Sequence, residues 1–365
     1  MGDASVGGDV AAIQRISMVS RKCNTYQEEL ESLLRRFGIG GETAFYVLAY
    51  HYFICYKERL EIPPDVTEKW HNAHQNIENE GRILLFLDEL VLNDPNGHAL
   101  ADWYQFFIGR RFREASGKFF TPKPIAHAMA CMLPPTPNAT VMDPTCGSST
   151  FLMELAQLWG DYPCTLVAND IEPSLVELSM LTLDLATPAQ YRKHFICSDI
   201  YAPSLDLQHW FNKVDYILAN PPFSLQIGYE QFNSPLFMSG YRNSDALFID
   251  VAAQLLRPGG RLVCILPHSI IANKEFADFR TIVEQSLTLL GVVSLPEGVF
   301  YLSAGTTTRA DIVILEKTRP TAAQKHFFAA TPSVGVKLSG NEEQALQNHL
   351  EALLANTSIR AALRI

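Results

Sequence analysis

The chain has 365 residues, enough for more than one domain, and its 47% of apolar residues can form a sizeable core. Its formal charge of −10 argues against a protein that coats nucleic acid through general electrostatics, so contacts with a polyanion should be local. Seven cysteines without a C-x-x-C pair favour reduced, mostly buried thiols and therefore a cytoplasmic protein.

The first third of the chain has the pattern of an all-helical domain, which we place at residues 1–115. Thr25 and Glu28 form a capping-box signature at the start of a first helix, and Gly38 closes it. Four further helical patterns follow, over residues 42–57, 66–80, 82–93 and 100–113.

This helical region shows no signal for a membrane segment, and its histidine pair gives none for a metal site. Residues 45–56 are its most hydrophobic stretch, but they are too short to span a bilayer and contain His51, which favours a buried helix. His71 and His74 share a helical face without cysteine or further histidine at ligand spacing, which predicts surface histidines.

A basic cluster follows, consisting of Arg110, Arg111, Arg113, Lys118 and Lys123. On sequence alone, a solvated positive face explains this cluster as well as a phosphate-binding surface does.

From about residue 134 the pattern changes to short β-branched runs that alternate with helices. Seven strand candidates lie at residues 140–142, 164–168, 194–197, 214–219, 262–266, 288–294 and 312–315. Helical patterns such as residues 150–159 and 173–185 separate most of them. This alternation predicts a doubly wound, Rossmann-like α/β sheet of about seven strands, and such sheets bind ligands beyond the carboxyl ends of their strands.

The tetrad Asn220-Pro221-Pro222-Phe223 directly follows the fourth strand candidate. Two prolines cannot continue a strand or a helix interior because they lack N–H donors, so the chain must turn there. The turn presents an amide side chain, backbone carbonyls without competing N–H groups, and an aromatic ring. These groups suit a planar ligand with an NH2 group, since they accept its hydrogens and cover its ring. Alone, the tetrad does not choose among adenine, a cytosine-like ring and a glutamine amide.

Acidic residues follow the first three strand candidates. Asp143 opens a tight strand-to-helix turn with Gly147, where a ligand can approach the backbone, although a short loop with an N-capping serine has a similar sequence. Asp170 is placed to accept both hydroxyls of a ribose, and Asp199 to accept from the amino group of an adenine. Asp and Asn are also common turn formers. Their order nevertheless places polar groups from four strand ends in one crevice.

Together these motifs resemble the class I S-adenosylmethionine-dependent N6-adenine DNA methyltransferases, and specifically the modification subunit of type I restriction systems. The resemblance covers most of residues 25–317. Besides the tetrad it rests on four segments: residues 117–122, 243–248, 258–261 and 295–300. The family usually has glycine where Ser149 stands, which tightens the cofactor turn.

The resemblance implies a methyltransferase catalytic domain at residues 116–320, followed by a C-terminal extension with an amphipathic helix at residues 321–365. It implies S-adenosylmethionine as cofactor, bound by Phe120, Thr121, Pro122, Asp143, Thr145, Gly147, Ser149, Thr150, Asp170, Asp199, Ile200 and Asn220. It assigns catalysis to Asn220, Pro221, Pro222 and Phe223.

The implied substrate is an adenine flipped out of double-stranded DNA. The Asn220 side-chain oxygen and the Pro221 carbonyl would accept the two N6 hydrogens, and Phe223 would stack on the base. The implied partners are a separate specificity subunit, which reads the DNA sequence, and a nuclease subunit.

Three questions stay open on sequence alone. Tyr229, Phe232, Phe237 and Tyr241 lie in residues 224–242 and can either contact bases at the site mouth or pack on one another. The tetrad would also suit methylation of a protein glutamine, although the helical first third disfavours that substrate. A methyltransferase fold that serves as a scaffold is the third alternative, and only Ser149 points to it.

Overall fold

The structure is a computed structural model that describes residues 26–115, 120–228, 234–300, 309–321, 325–335 and 348–365, with backbone only over 109–115. The predicted cap residue Thr25 and the motif residues 117–119 lie outside these ranges. The described residues divide into two compact units, one extending to Phe112 and one beginning at Arg113. No helix in the described ranges is long and apolar enough to cross a membrane.

The first unit is helical. Its helices are α1 (residues 26–35), α2 (Glu42–Tyr56), α3 (Pro64–His74), α4 (Gly81–Asn93) and α5 (Leu100–Ala115). Pro64 stands at the start of α3, where its missing N–H is not needed. Phe45 and Tyr104 pack edge to face with ring centroids 5.0 Å apart in the core of this unit. Helix α2 is buried along its middle, between Ala44 and Tyr52, and its last turn is half-buried or exposed.

The prediction of surface histidines is wrong for His74, which is 4% exposed. His74 packs with His51 of α2, since their rings stack with centroids 5.6 Å apart. Sequence spacing shows which residues share one helical face, but it does not show that a neighbouring helix covers that face.

The second unit is built on one eight-stranded sheet. Its strands are β1 (Thr140–Asp143), β2 (Thr165–Asp170), β3 (Arg192–Cys197), β4 (Val214–Ala219), β5 (Leu256–Pro267), β6 (Thr288–Ser294), β7 (Ala310–Glu316) and β8 (Phe327–Ala330). Their spatial order is β3-β2-β1-β4-β5-β7-β6-β8, and β7 runs antiparallel to both of its neighbours. All seven predicted strands are present.

Strand β8 was missed. It has only four residues, pairs with β6 at the sheet edge and alternates between half-buried and exposed positions. It lies in the segment after residue 320 that the sequence analysis treated as a C-terminal extension.

Helices cover both faces of the sheet. They are α6 (Lys123–Ala130), α7 (Thr150–Trp159), α8 (Pro173–Ala186), α9 (Leu205–Gln208), α10 (Pro235–Met238), α11 (Ser244–Leu255), α12 (His268–Ala272), α13 (Ala277–Val283), α14 (His349–Leu354) and α15 (Thr357–Leu363). Adjacent strand residues join opposite cores: Val141 packs in the cluster with α6 and α7, and Met142 packs in the cluster with α11. The predicted doubly wound α/β fold is therefore confirmed.

The strand order places the loops of interest side by side. Strand β1 lies between β2 and β4 and runs parallel to both. The chain extends from β1 to one side through β2 and β3, and then crosses to β4 on the other side, which makes the β1/β4 boundary a topological switch point. The carboxyl ends of β1, β2, β3 and β4 therefore meet at one edge, where ligands bind in open α/β sheets.

Candidate functional site

The loops after β1, β2 and β3 are held together by the buried side chain of Asn169. Its Nδ2 donates to the carbonyl of Pro144, at 2.8 Å, and to the carbonyl of Ser198, at 3.0 Å. The backbone carbonyl of Asn169 also accepts from Cys146 N at 2.8 Å. A fully buried amide with two donor bonds fixes the relative position of three strand ends.

Asp170, at the end of β2, fixes the glycine turn that follows β1. One carboxylate oxygen accepts from Gly147 N at 3.0 Å, and the other accepts from Glu172 N at 3.1 Å. Hydrogen bonds from N–H groups to a carboxylate are stronger than those between neutral groups, so this contact holds the turn firmly.

The turn itself uses two residues with positive φ. Gly147 has φ of 50°, and a Cβ there would lie 3.5 Å from the Phe120 ring. Ser149 has φ of 58° and ψ of 25°, a left-handed conformation that is uncommon for a residue with a side chain. Its backbone N–H donates to Cys146 O at 2.7 Å, so the turn closes on itself just before α7.

Three buried polar atoms of this β1 loop lack a partner among the described residues: Asp143 Oδ2, Thr145 Oγ1 and Ser149 Oγ. Leaving a buried polar group without a hydrogen bond costs about 1 to 3 kcal/mol, so such groups call for an explanation. A polar ligand at this edge of the sheet would supply the missing partners.

The charge state of Asp143 also favours a ligand at this position, specifically a cationic one. Burial raises the pKa of Asp143 well above its ordinary value, the backbone N–H of Thr145 opposes that shift, and the nearby Asp170 carboxylate adds to it. A cationic group bound between the two carboxylates would favour the ionised form of Asp143.

Asp199 and Ile200 follow β3. One Asp199 carboxylate oxygen accepts from Tyr201 N at 2.8 Å, and the residue is half-buried. Ile200 is 6% exposed and packs in the same core as α11. The structure therefore places both predicted residues beside the loops of β1 and β2.

At the end of β4, the amide of Asn220 has a fixed orientation. Its Nδ2 donates to Thr121 Oγ1 at 3.1 Å, and Thr121 is itself nearly buried. The side-chain oxygen of Asn220 accepts no hydrogen bond from any residue in the described ranges. Thr121 thereby leaves the acceptor end of the amide open.

Helix α11 braces the rest of the tetrad from behind. Ser244 Oγ donates to the Pro222 carbonyl at 3.2 Å and accepts from Leu225 N at 3.0 Å. The Asp245 carboxylate accepts from Ser224 N at 3.1 and 3.2 Å, and Ser224 has φ of 58°.

The carbonyl of Pro221 is the acceptor that this bracing leaves open, since none of the described residues donates to it. The β4 loop therefore presents two neighbouring open acceptors, Asn220 Oδ1 and Pro221 O. A planar NH2 group has two hydrogens that such a pair can accept.

Phe223 closes the tetrad and is half-buried. It contacts Phe300, which is 1% exposed, edge to face with ring centroids 6.3 Å apart. The contact holds the Phe223 ring in place, because an edge-to-face pair has a defined geometry. The segment 295–300, which the sequence analysis used only for the resemblance, therefore supports the tetrad.

The structure describes only part of the aromatic segment 224–242 and of the basic cluster. Phe237 is buried, with the Arg242 guanidinium 3.7 Å from its ring centroid, and Tyr241 packs edge to face on Phe279. These two aromatics pack within the protein, whereas Tyr229 and Phe232 lie outside the described residues. Of the basic cluster, only the side chain of Lys123 is described, and it is exposed.

Two parts of the site were missed by the sequence analysis: the bond from Asn220 to Thr121, and the support from Ser244 and Asp245. The segment 243–248 belongs to the resemblance, but its sequence does not indicate that it supports the tetrad. The Asn-Ser-Asp run before a helical pattern predicts an N-cap, which Asn243 indeed provides. Nothing in that signal indicates a contact with the β4 loop.

Comparison with known proteins identifies the family of this chain. The sequence profile of the family described as N-6 DNA Methylase matches residues 96–358. The type I restriction enzyme EcoEI methylase subunit of Escherichia coli is 26% identical over 243 residues, which cover 61% of this chain and 47% of the relative. The type II methyltransferase M.VspI of a Vibrio species is 25% identical over 276 residues, which cover 73% of this chain and 64% of the relative.

Solved structures share the fold. A chain from Listeria monocytogenes assigned to the class I S-adenosylmethionine-dependent methyltransferases aligns with a TM-score of 0.63 at 17% identity, covering 93% of this chain and 99% of that chain. The type I restriction-modification methyltransferase subunit from Streptococcus thermophilus aligns with a TM-score of 0.58 at 20% identity, covering 81% and 63%. The chain spans about half to two thirds of the length of the two curated relatives.

Proposed function

Because the chain belongs to the N-6 DNA methylase family, we propose that it transfers a methyl group from S-adenosylmethionine to N6 of adenine in DNA. The observation that carries this proposal is the pair of open acceptors at the end of β4, Asn220 Oδ1 and Pro221 O. A fixed acceptor pair beside unpaired polar groups on a neighbouring strand end is what methyl transfer to an amino nitrogen requires.

The β1 loop fits the cofactor. S-adenosylmethionine supplies an electrophilic methyl group on a positively charged sulfur and carries an ammonium and a ribose. Asp143 and the unpaired Thr145 and Ser149 hydroxyls would hold its polar end, since all three have buried atoms without partners. The remaining predicted contacts come from the segment before β1 and from the four strand ends: Phe120, Thr121, Pro122, Gly147, Thr150, Asp170, Asp199, Ile200 and Asn220.

The acceptor pair would act on the adenine amino group. The N6 lone pair is delocalised into the ring, so the nitrogen must be reoriented before it can attack. Asn220 and Pro221 would accept its two hydrogens and stabilise the positive charge that develops on it, without reorganisation during the reaction. Phe223 would stack on a base that has been flipped out of the duplex at a cost of a few kcal/mol.

We propose that sequence recognition comes from a separate specificity subunit, with a nuclease subunit as a further partner. The formal charge of −10 supports such dependence, because the chain has little general attraction for a polyanion. The matched relatives include methylase subunits of type I restriction enzymes, by their names.

The direct test is N6-methyladenine in host DNA. We expect the modified base at a defined sequence motif in cells with the intact gene, and its loss in cells that carry Asn220→Ala in its place. Unchanged N6-methyladenine after this exchange would refute the proposal, because the acceptor pair is then not used. An immunoblot that shows equal protein levels for both forms is the required control.

Calorimetry with S-adenosylmethionine distinguishes the enzyme from the scaffold alternative. The scaffold alternative predicts no binding of S-adenosylmethionine, with or without DNA. The unpaired atoms of the β1 loop favour binding. Saturable binding that Asp143→Asn weakens would favour the enzyme.

A further inference from the structure

A second cluster of polar side chains lies in the helical unit. His51 and Cys55 stand one turn apart on α2, and Asp88 lies on α4. One ligand atom from each residue, the His51 ring nitrogen, the Cys55 Sγ and an Asp88 carboxylate oxygen, lies within 4.8 Å of the other two. We call these three residues the His51 cluster.

The spacing along α2 explains why two of these side chains meet. Residues four apart in a helix lie on the same face, so a histidine and a cysteine at this spacing can hold one ion together. Helix α4 packs against α2 and brings Asp88 to 2.8 Å from His51 Nε2. The histidine is buried, whereas Cys55 and Asp88 are exposed, so an ion could enter from solvent.

The distances suit a small tetrahedral ion. Zinc bonds of about 2.0 to 2.3 Å place neighbouring ligand atoms about 3.3 to 3.7 Å apart. The separations in the His51 cluster run from 2.8 Å to at most 4.8 Å, so small side-chain rotations reach that geometry. An imidazole, a thiolate and a carboxylate together favour Zn²⁺ over Mg²⁺ or Ca²⁺, which prefer oxygen ligands only.

The second nitrogen of His51 has a partner that fixes the ring. His51 Nδ1 lies 3.3 Å from His74 Nε2, and both histidines are buried. This contact orients the His51 ring so that Nε2 lies toward Asp88.

On the other side of the ring, His51 Nε2 and an Asp88 oxygen lie 2.8 Å apart, so two of the three ligand atoms already face each other. The orienting partner on the far nitrogen is also what metal-bound histidines generally have. We propose that His51, Cys55 and Asp88 form a zinc site that joins α2 to α4, with one coordination position open to water or to a ligand from outside the chain.

Cobalt is the probe that reports the ligands directly. The full chain, freed of metal with a chelator, is titrated with Co²⁺, and the thiolate-to-metal charge-transfer band is followed by absorption. We expect one bound ion per chain and displacement by Zn²⁺. Cys55→Ser should remove the charge-transfer band, and Asp88→Asn should weaken binding by about 10-fold or more.

The matched control is Cys197→Ser, which removes an exposed thiol from the other unit and should leave the cobalt spectrum unchanged. The same pair of thiols gives a test without any mutation: Zn²⁺ should protect Cys55, and not Cys197, from alkylation, as mapped by mass spectrometry. A charge-transfer band that survives in Cys55→Ser would overturn the proposal. So would the absence of saturable Co²⁺ binding, or equal alkylation of Cys55 with and without Zn²⁺.

Discussion

The loops after β1 and β4 lie side by side at the same edge of the sheet, yet they differ in how their polar atoms are hydrogen-bonded. The β1 loop leaves Asp143, Thr145 and Ser149 with buried atoms that have no partner in the described protein. The β4 loop has its turn tied to α11 by Ser244 and Asp245. The β1 loop has buried side-chain atoms without a partner, whereas the β4 loop has a braced turn that holds its two open acceptors, Asn220 Oδ1 and Pro221 O, in place.

This difference matches two kinds of work. A binding loop gains affinity when a ligand supplies hydrogen bonds that the free protein lacks. A catalytic loop gains rate when its acceptors are already fixed, because they need no reorganisation as charge develops. The comparison therefore predicts that changes in the β1 loop alter affinity for the cofactor, and that changes in the β4 loop alter the rate of transfer.

The largest expected effect is in the β4 loop. Asn220→Ala removes one of the two open acceptors, and we expect methyl transfer to fall by at least about 10²- to 10³-fold, the range seen when one fixed hydrogen-bonding group of an active site is lost. Cofactor affinity, measured by calorimetry, should stay nearly unchanged. Asn273→Ala, which removes an exposed amide after α12, is the control and should keep full activity.

A loss of cofactor binding in Asn220→Ala would show that affinity and transfer rate are not assigned separately to the β1 and β4 loops. Asn220 would then belong to the binding surface, and its side-chain oxygen would not be reserved for the adenine amino group.

The next effect is in the β1 loop. Asp143→Asn removes a buried carboxylate that would face the cationic end of the cofactor, so we expect its dissociation constant to rise by about 10- to 150-fold, equivalent to about 1.5 to 3 kcal/mol. The rate of transfer at saturating cofactor should change much less. Calorimetry and single-turnover kinetics separate the two quantities.

The same carboxylate predicts a pH dependence with a definite sign. Burial raises the pKa of Asp143 in the free protein, so lowering the pH through that raised value protonates the group and removes its attraction for a cation. Cofactor affinity should therefore rise as the pH increases through the raised pKa of Asp143 and then level off. A slope that persists in Asp143→Asn would assign the dependence to another group.

The sequence reveals the residues at the strand ends but not the contacts that support them. Asp143, Asp170, Asp199 and Asn220 could be found because each directly follows an apolar run, and parallel strands end at one edge. The bond between Thr121 and Asn220 joins residues 99 positions apart. The His51 cluster likewise depends on how α4 packs against α2. Hydrophobic pattern and motif spacing describe neighbours along the chain, whereas these contacts are set by tertiary packing.

Substitutions of Thr121 test whether this residue orients Asn220 in the β4 loop or binds the cofactor with the β1 loop. The resemblance implies a cofactor contact, but the structure shows its hydroxyl accepting from Asn220 Nδ2. Thr121→Val removes that acceptor, and the loss of about 0.5 to 1.5 kcal/mol should lower the rate about two- to twelvefold, with the cofactor dissociation constant unchanged. Thr121→Ser keeps the hydroxyl and should restore the rate. Weaker cofactor binding at an unchanged rate would instead place Thr121 in the binding loop.

The smallest effect concerns Ser149 in the β1 loop. This residue has a left-handed backbone conformation and an unpaired hydroxyl. Ser149→Gly relieves a strain of about 1 to 2 kcal/mol, and the greater freedom of glycine in the unfolded chain offsets about 0.5 to 1 kcal/mol of that gain. No capping hydrogen bond is lost, because the Ser149 side chain makes none. We therefore expect the free energy of unfolding in urea, measured without cofactor, to rise by up to about 1.5 kcal/mol.

The effect of Ser149→Gly on the cofactor then decides what the hydroxyl is for. If Ser149 Oγ pairs with bound S-adenosylmethionine, the glycine variant is more stable but binds the cofactor about two- to twelvefold more weakly. If affinity instead stays the same or improves, the serine contributes nothing to binding. Asp143 and Thr145 would then be the side chains of the β1 loop whose unpaired atoms are left to bind a ligand.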